Sequence, residues 1–218
     1  MHLDFGVAWK FLPILLQASL MTIALFVLSQ VLGTAAAFFV ALARMSPRAW
    51  LRRPAMAYIW VVRGTPLLLH LFFVYYAAPA FGITLDAFPA AIIAMSASAA
   101  AYNAEIFRAG LEAVPRGQHE AAQSCGLSPA QALRFVIVPQ ALRIAFPALG
   151  NNLVSLVKNS SLVSTIGMVE LMFVANDISF NNFRTFEIYG TTAGLYILLV
   201  MLLTRALHLA ERRMARVR

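Results

Sequence analysis

Asn151, Ser155 and Lys158 recur at i, i+4 and i+7, the spacing that puts three side chains on one face of a helix. An amide, a hydroxyl and an ammonium on one stripe could bind a small zwitterion, the cation meeting a carboxylate and the neutral groups an ammonium. That face is a candidate lining for a solute path. The same residues admit a plainer reading. Amides and hydroxyls between apolar helices hydrogen-bond across them, and a lysine at a helix end snorkels to the surface.

Bond-making chemistry finds less support. His119-Glu120 opens a zinc-hydrolase pattern, but the fifth position is Gln123 rather than histidine. The sequence has no G-x-S-x-G turn for a nucleophile and no G-x-x-x-x-G-K-[ST] loop to cradle ATP phosphates. No catalytic residue, metal site or cofactor of the chain's own is therefore expected. Cys125, the one cysteine, excludes an intramolecular disulfide or a cysteine cluster and reads as a small packing residue. Glu105 and Arg108, at i and i+3, read as a local ion pair.

The elements that must position these groups are membrane helices. Of 218 residues, 61% are hydrophobic and 12% charged, too few charges to coat a soluble domain. A crossing needs roughly 20 apolar residues. Five segments qualify or nearly do: 11–43, 64–82 behind an amphipathic lead-in at 51–62, 87–107, 137–157 and 188–209. The first is too long for one upright span, so its outer end is expected to lie along the interface. It lacks a basic lead and exceeds a signal core, so no cleavable leader is expected. Residues 162–175 are apolar but short and carry Ser164, Gly167 and Glu170. They suit a re-entrant or interfacial segment; a sixth span is the alternative, and it would place the tail outside.

Arginine placement gives the orientation. The net charge is +8, and 15 of the 17 basic residues are arginine. Fourteen basic residues fall on one side: Arg44, Arg48, Arg52, Arg53, Arg63, Arg108, Arg116, Arg134, Arg143, Arg205, Arg212, Arg213, Arg216 and Arg218. Only Lys10, Lys158 and Arg184 fall on the other. Positive charge stays in the cytoplasm, so the N-terminus is expected outside and the C-terminus inside. Such a pattern follows a membrane rather than nucleic acid.

That orientation puts residues 120–139 in the cytoplasm, between two spans. Gly126 suits the left-handed residue that ends a helix, Ser128 an N-cap, Pro129 the first helical position, and Gln131 the far side of a capping box. Two short helices are expected, with Glu120 in the first turn of one, where the helix dipole favours a carboxylate. Ala121 and Ala122 would leave a face small enough for a partner to approach. Pro139 is expected to start the next span and Pro147 to kink it.

The spacing Glu120-Ala121-Ala122, three residues, Gly126, nine residues, Val136-x-Val138-Pro139 resembles the EAA loop of ABC importer permeases. Val136 and Val138 stand where the family pattern has Ile and Leu. Five further segments, in order, resemble the polar amino acid uptake branch. They are Arg63-Gly64-Thr65-Pro66-Leu67-Leu68, Glu105-Ile106-Phe107-Arg108, Val114-Pro115-Arg116-Gly117-Gln118, Pro139-Gln140-Ala141 and Lys158-Asn159-Ser160-Ser161-Leu162. In the last, Asn159 and Ser160 replace the commoner Asp and Thr.

The resemblance implies an all-α integral membrane protein with the type I ABC importer permease fold: five transmembrane helices and cytoplasmic coupling helices. It implies one domain over residues 1–218, with a core near 15–211 and a coupling loop near 115–135. The implied function is the permease subunit of an importer for a polar amino acid or close analogue, multi-pass in the bacterial cytoplasmic (inner) membrane. Its implied partners are a cytoplasmic ABC ATPase dimer that supplies ATP and Mg chemistry, an extracytoplasmic solute-binding protein, and a second permease copy or a homologous permease. Glu120, Ala121, Ala122 and Gly126 would couple to the ATPase. Lipid is the remaining partner, and nucleic acid is not expected.

Overall fold

The computed structural model describes residues 5–216, and every regular element among them is helical. In chain order these are α1 (Phe5–Met45), α2 (Ala49–Gly64), α3 (Leu67–Phe81), α4 (Ala87–Glu112), α5 (Arg116–Ser124), α6 (Pro129–Ile166), α7 (Leu171–Asn182) and α8 (Thr185–Arg216). Four of them, α1, α4, α6 and α8, are long and apolar enough to cross a membrane. The pair α2 and α3, bent by 109° at a short break, makes a fifth span if counted as one. Arg218, counted above among the inner arginines, lies outside the described residues.

Two prolines do not bound helices as their type suggests. α1 continues as one helix through Pro13. Its 41 residues rise about 61 Å, roughly twice a hydrocarbon core. Pro139 does not start a span either. α6 begins ten residues earlier at Pro129 and runs through both Pro139 and Pro147.

The physical reason is a π turn. A proline inside a helix lacks its N–H and collides with the carbonyl four residues back. Over Leu133–Ile137 the ladder shifts register, with the Val138 N–H donating to the Leu133 carbonyl. The wider turn eases the strain at the Phe135 carbonyl that Pro139 would meet. α3 repeats the device: Phe73–Ala77 is a π turn, the Ala78 N–H donates to the Phe73 carbonyl, and Pro79 follows.

α4 lies at the centre. Its buried face is a run of alanines, Ala90, Ala91, Ala94, Ala99, Ala100, Ala101 and Ala104, which lets neighbours come close. The α1 contact is the most extensive in the chain. A Cβ on Gly33 of α1 would sit 2.6 Å from the Ala99 Cβ, so only glycine fits that crossing. Leu25, Leu71, Met95, Val157, Val163 and Ile166 fill the space where α1, α3, α4 and α6 meet. A second cluster of Leu15, Leu171, Ala175, Ile178, Ile188 and Leu195 joins α1, α7 and α8. Outward faces stay apolar, as with Leu20, Val31, Phe39 and Leu202, consistent with lipid as solvent.

Residues 162–175 are not one helix. A 3₁₀ stretch, Ser160–Ile166, finishes α6, and Gly167 turns the chain at φ 78°. The twelve residues of α7 rise only about 18 Å, too short to cross, which removes the sixth-span alternative. Glu170 caps α7 and is fully buried. Its Oε1 accepts from the Phe173 N–H at 2.9 Å, while Oε2 accepts from the Thr22 hydroxyl of α1 at 3.2 Å and the Tyr196 hydroxyl of α8 at 3.1 Å.

Candidate functional site

Polar side chains inside an apolar bundle must find partners. Asn103, wholly buried in α4, does so on both sides. Its Nδ2 donates to the Thr34 Oγ1 of α1 at 3.0 Å, and its Oδ1 accepts from the Asn152 Nδ2 of α6 at 2.8 Å. Gln30 Nε2 donates to the same Thr34 hydroxyl at 3.2 Å. The result is a polar seam that pins α1, α4 and α6 together.

The seam borders a pocket of about 270 Å³ where α2 and α3 break. Thr65, Ser98, Tyr102, Asn152, Ser155 and Asn159 supply its polar lining, and no charged residue is among those that line it. Thr65 and Pro66 are extended rather than helical, which leaves the α2 end short of donors. Thr65 repairs this locally. Its hydroxyl donates to the Val61 carbonyl at 2.7 Å and lies 2.6 Å from His70 Nε2. Interrupted backbone at this depth is tolerated where it lines a cavity, and broken helices mark solute sites in many transporters.

The face of Asn151, Ser155 and Lys158 does not converge on this pocket. Ser155 lines it, and its hydroxyl donates to the Asn151 carbonyl at 3.1 Å. Lys158 instead lines a separate cleft of about 300 Å³ with Met172, Tyr189 and Tyr196, toward α7 and α8. Asn151 is exposed and lines neither. Asn152, one residue off the expected stripe, is the amide that both lines the pocket and holds Asn103. Sequence reading passed over Asn103, Ser98 and Tyr102. A lone asparagine in an alanine run was the available signal for the first.

Beyond the pocket along α4 lies a charged cluster. Arg108 grips Glu105 through Nε and Nη2, both at 2.9 Å, and reaches Glu112 at 2.6 Å. Arg44 of α1 adds a contact of 3.4 Å to Glu105. The expected local pair is thus part of a four-residue network linking two helices. Glu105, Tyr102 and Arg63 line both of the larger clefts here, of about 670 and 520 Å³. The Arg63 guanidinium lies over the Tyr102 ring at 5.2 Å.

The loop at 115–135 folds much as its caps dictate. α5 ends in a Schellman turn: the Leu127 N–H donates to the Ala122 carbonyl at 3.2 Å and the Gly126 N–H to the Gln123 carbonyl at 2.9 Å. Gly126 sits at φ 78°. The Ser128 N–H donates to Gln131 Oε1 at 2.9 Å, and the Gln131 N–H returns to Ser128 Oγ at 3.4 Å. Val114, Ile137 and Ala141 bury the base, and Gln140 Nε2 donates to Gln118 Oε1 at 3.0 Å.

Four details of the loop differ from expectation. α5 starts at Arg116, so Glu120 lies in its second turn, beyond the strongest pull of the dipole. The Glu120 carboxylate is exposed and pairs with no cation among the described residues. Ala122 is buried against the chain itself, so only Ala121 keeps an open small face. Cys125 is exposed at the end of α5 rather than packed. The second expected short helix is the first turn of α6. Among the described residues no three His, Cys, Asp or Glu side chains gather as a metal site.

A family model described as "Binding-protein-dependent transport system inner membrane component" matches residues 29–216. The chain is 42% identical over 208 residues to the L-cystine transport system permease protein TcyB of Bacillus subtilis (strain 168), covering 95% of this chain and 89% of that protein. It is 34% identical over 216 residues to the glutamine transport system permease protein GlnP of Escherichia coli (strain K12), covering 98% and 99%. Among solved structures, one described as "Crystal structure of an amino acid ABC transporter with histidines" superposes with a TM-score of 0.92 at 39% identity, covering 98% of this chain and all of that one.

Proposed function

The chain belongs to the binding-protein-dependent transport system inner membrane components, and from that membership we propose that it is the permease subunit of an ATP-driven importer for a polar amino acid. It is a multi-pass protein of the bacterial cytoplasmic membrane. Relatives named as cystine and glutamine permeases, matched over nearly their whole length, carry this reading.

The pocket at the α2–α3 break is the chain's share of the solute path. Its hydroxyls and amides suit the carboxylate and ammonium of an amino acid, and its lack of charge favours an uncharged side chain. Asn152, Ser155 and Asn159 present those groups from α6, while Lys158 and Asn151 stand aside. Energy comes from a cytoplasmic ABC ATPase dimer that binds ATP and Mg. α5 and the Gly126 turn form the contact, with Glu120 offering an unpaired carboxylate and Ala121 a close approach. The arginine bias supports a cytoplasmic position for this loop, with the N-terminus outside and the C-terminus inside. A second permease, identical or homologous, completes the path, and an extracytoplasmic binding protein delivers the solute.

Co-expression with the ATPase and binding protein, followed by uptake of a panel of labelled amino acids into proteoliposomes, tests the proposal. ATP-dependent uptake of a neutral polar amino acid is expected, at least about tenfold weaker with Asn152→Ala, about the loss of one buried hydrogen bond. Deleting residues 118–131 should abolish co-purification of the ATPase. Retained association would sink the coupling role of the loop, and uptake indifferent to Asn152→Ala the solute role of the pocket.

A further inference from the structure

Tyr102 lies at a junction. It lines the polar pocket and also both charged clefts beyond it. Ser98, in the pocket, is one turn before Tyr102 on α4, and Glu105, in the clefts, is about one turn after. Arg63, the penultimate residue of α2, covers the Tyr102 ring at 5.2 Å, and two residues later the chain leaves helix for the extended Thr65-Pro66. Between them Gly64 has nothing within 4 Å of where a Cβ would lie, so packing does not demand a glycine there. What glycine gives that spot is backbone freedom.

Resting on the reading of the pocket as solute path, we infer that Tyr102 and Arg63 form its inner gate, opened by a swing of α2 about residues 64–66. In the stacked state the Tyr102 ring, which lines all three, stands between pocket and clefts, with the Arg63 guanidinium over it on the cleft side. When α2 swings, Arg63 leaves the ring, and Glu105, which shares both clefts with it, receives the cation. Arg44 and Arg108 hold that carboxylate in place as an anchor. Both gate residues are positioning residues: they control access and need not touch the solute.

Accessibility of the pocket from the cytoplasmic side provides the test. In the complete complex with its ATPase, in inside-out vesicles, Cys125→Ser removes the native thiol and Ser98→Cys places one in the pocket. Modification by a membrane-impermeant maleimide is then timed without nucleotide. Adding Tyr102→Ala should speed labelling about tenfold, the weight of one stacked cation–π pair. Tyr102→Phe, which keeps the ring, should label at the parent rate. Arg63→Gln should fall between. Equal rates with Tyr102→Ala and the parent overturn the gate, as does a Tyr102→Phe rate equal to that of Tyr102→Ala. Co-purified ATPase in each variant reports a folded subunit. If labelling behaves as expected but amino acid uptake ignores Asn152→Ala, the gate stands and the solute assignment alone fails.

Discussion

Replacing Glu170 with alanine cuts the point where α1, α7 and α8 are tied. The α7 cap is lost, costing about 1 kcal/mol. The Tyr196 hydroxyl loses its acceptor in a part-buried site, adding about 1–2 kcal/mol. The Thr22 hydroxyl suffers less, because the Ala18 carbonyl lies 3.5 Å away and can take its proton. A void left by the missing carboxylate arm adds about 1 kcal/mol, and relief from burying a polar acid offsets roughly as much. The sum is about 2–3 kcal/mol, or about 5–10 °C in Tm for a chain this size. Thermal unfolding in detergent, followed by circular dichroism, measures it. Glu170→Gln keeps the acceptor for the Phe173 N–H and should cost about 1 kcal/mol or less.

The same residue predicts a pH slope. Burial pushes the Glu170 carboxyl above its ordinary range, against hydrogen bonds from Met172, Phe173, Tyr196 and Thr22 that pull it down. A group whose folded pKa is raised holds its proton more tightly in the native state. Its contribution is therefore full below the ordinary carboxylate range and declines as pH rises through the raised value. Wild type should lose stability relative to Glu170→Gln as pH climbs across that window. An alanine variant that melts within about 1 °C of wild type would refute the tie, since the terms above sum to several times that shift.

Two glycines give complementary predictions. Gly126→Ala forces a Cβ into the left-handed region at φ 78°, costing about 1–2 kcal/mol locally; limited proteolysis should cut the loop faster while the Tm of the bundle barely moves. Gly110→Ala would put its Cβ 2.8 Å from the Ala141 carbonyl oxygen and 3.0 Å from the Ala145 Cβ. α4 and α6 must part, costing about 1–3 kcal/mol. Gly190→Ala, with nothing within 4 Å, is the control and should be neutral or stabilising by up to about 1 kcal/mol in thermal unfolding.

What the sequence made legible was local. Gly126, Ser128 and Gln131 act through their own backbone and near neighbours, so their turn and capping box could be read from residue types and spacing. Span number followed from composition, because lipid demands apolar length whatever the partners. Pro139 misled because reading a proline as the start of a new helix assumes an unbroken i→i−4 ladder that it would interrupt, and a π turn supplies another register. The stripe at 151, 155 and 158 misled differently. Helical spacing says which residues share a face but not which neighbours that face meets. Here the α2–α3 break takes Ser155, and α7 with α8 takes Lys158. Asn103 and Asn152, 49 residues apart, meet only through tertiary packing.

The continuity of α6 makes one rod of what would otherwise be two pieces. From the Ser128 cap to Asn152 is about 36 Å of helix. A tilt of about 10° at the pocket end therefore carries the loop sideways by about 6 Å. No joint of loose chain intervenes to absorb such a stroke; the π turn at 133–137 is a change of pitch, not a break. α6 thus has the mechanical advantage of a lever, converting a large, coarse movement at the loop into a fine adjustment among Asn152, Ser155 and Asn159.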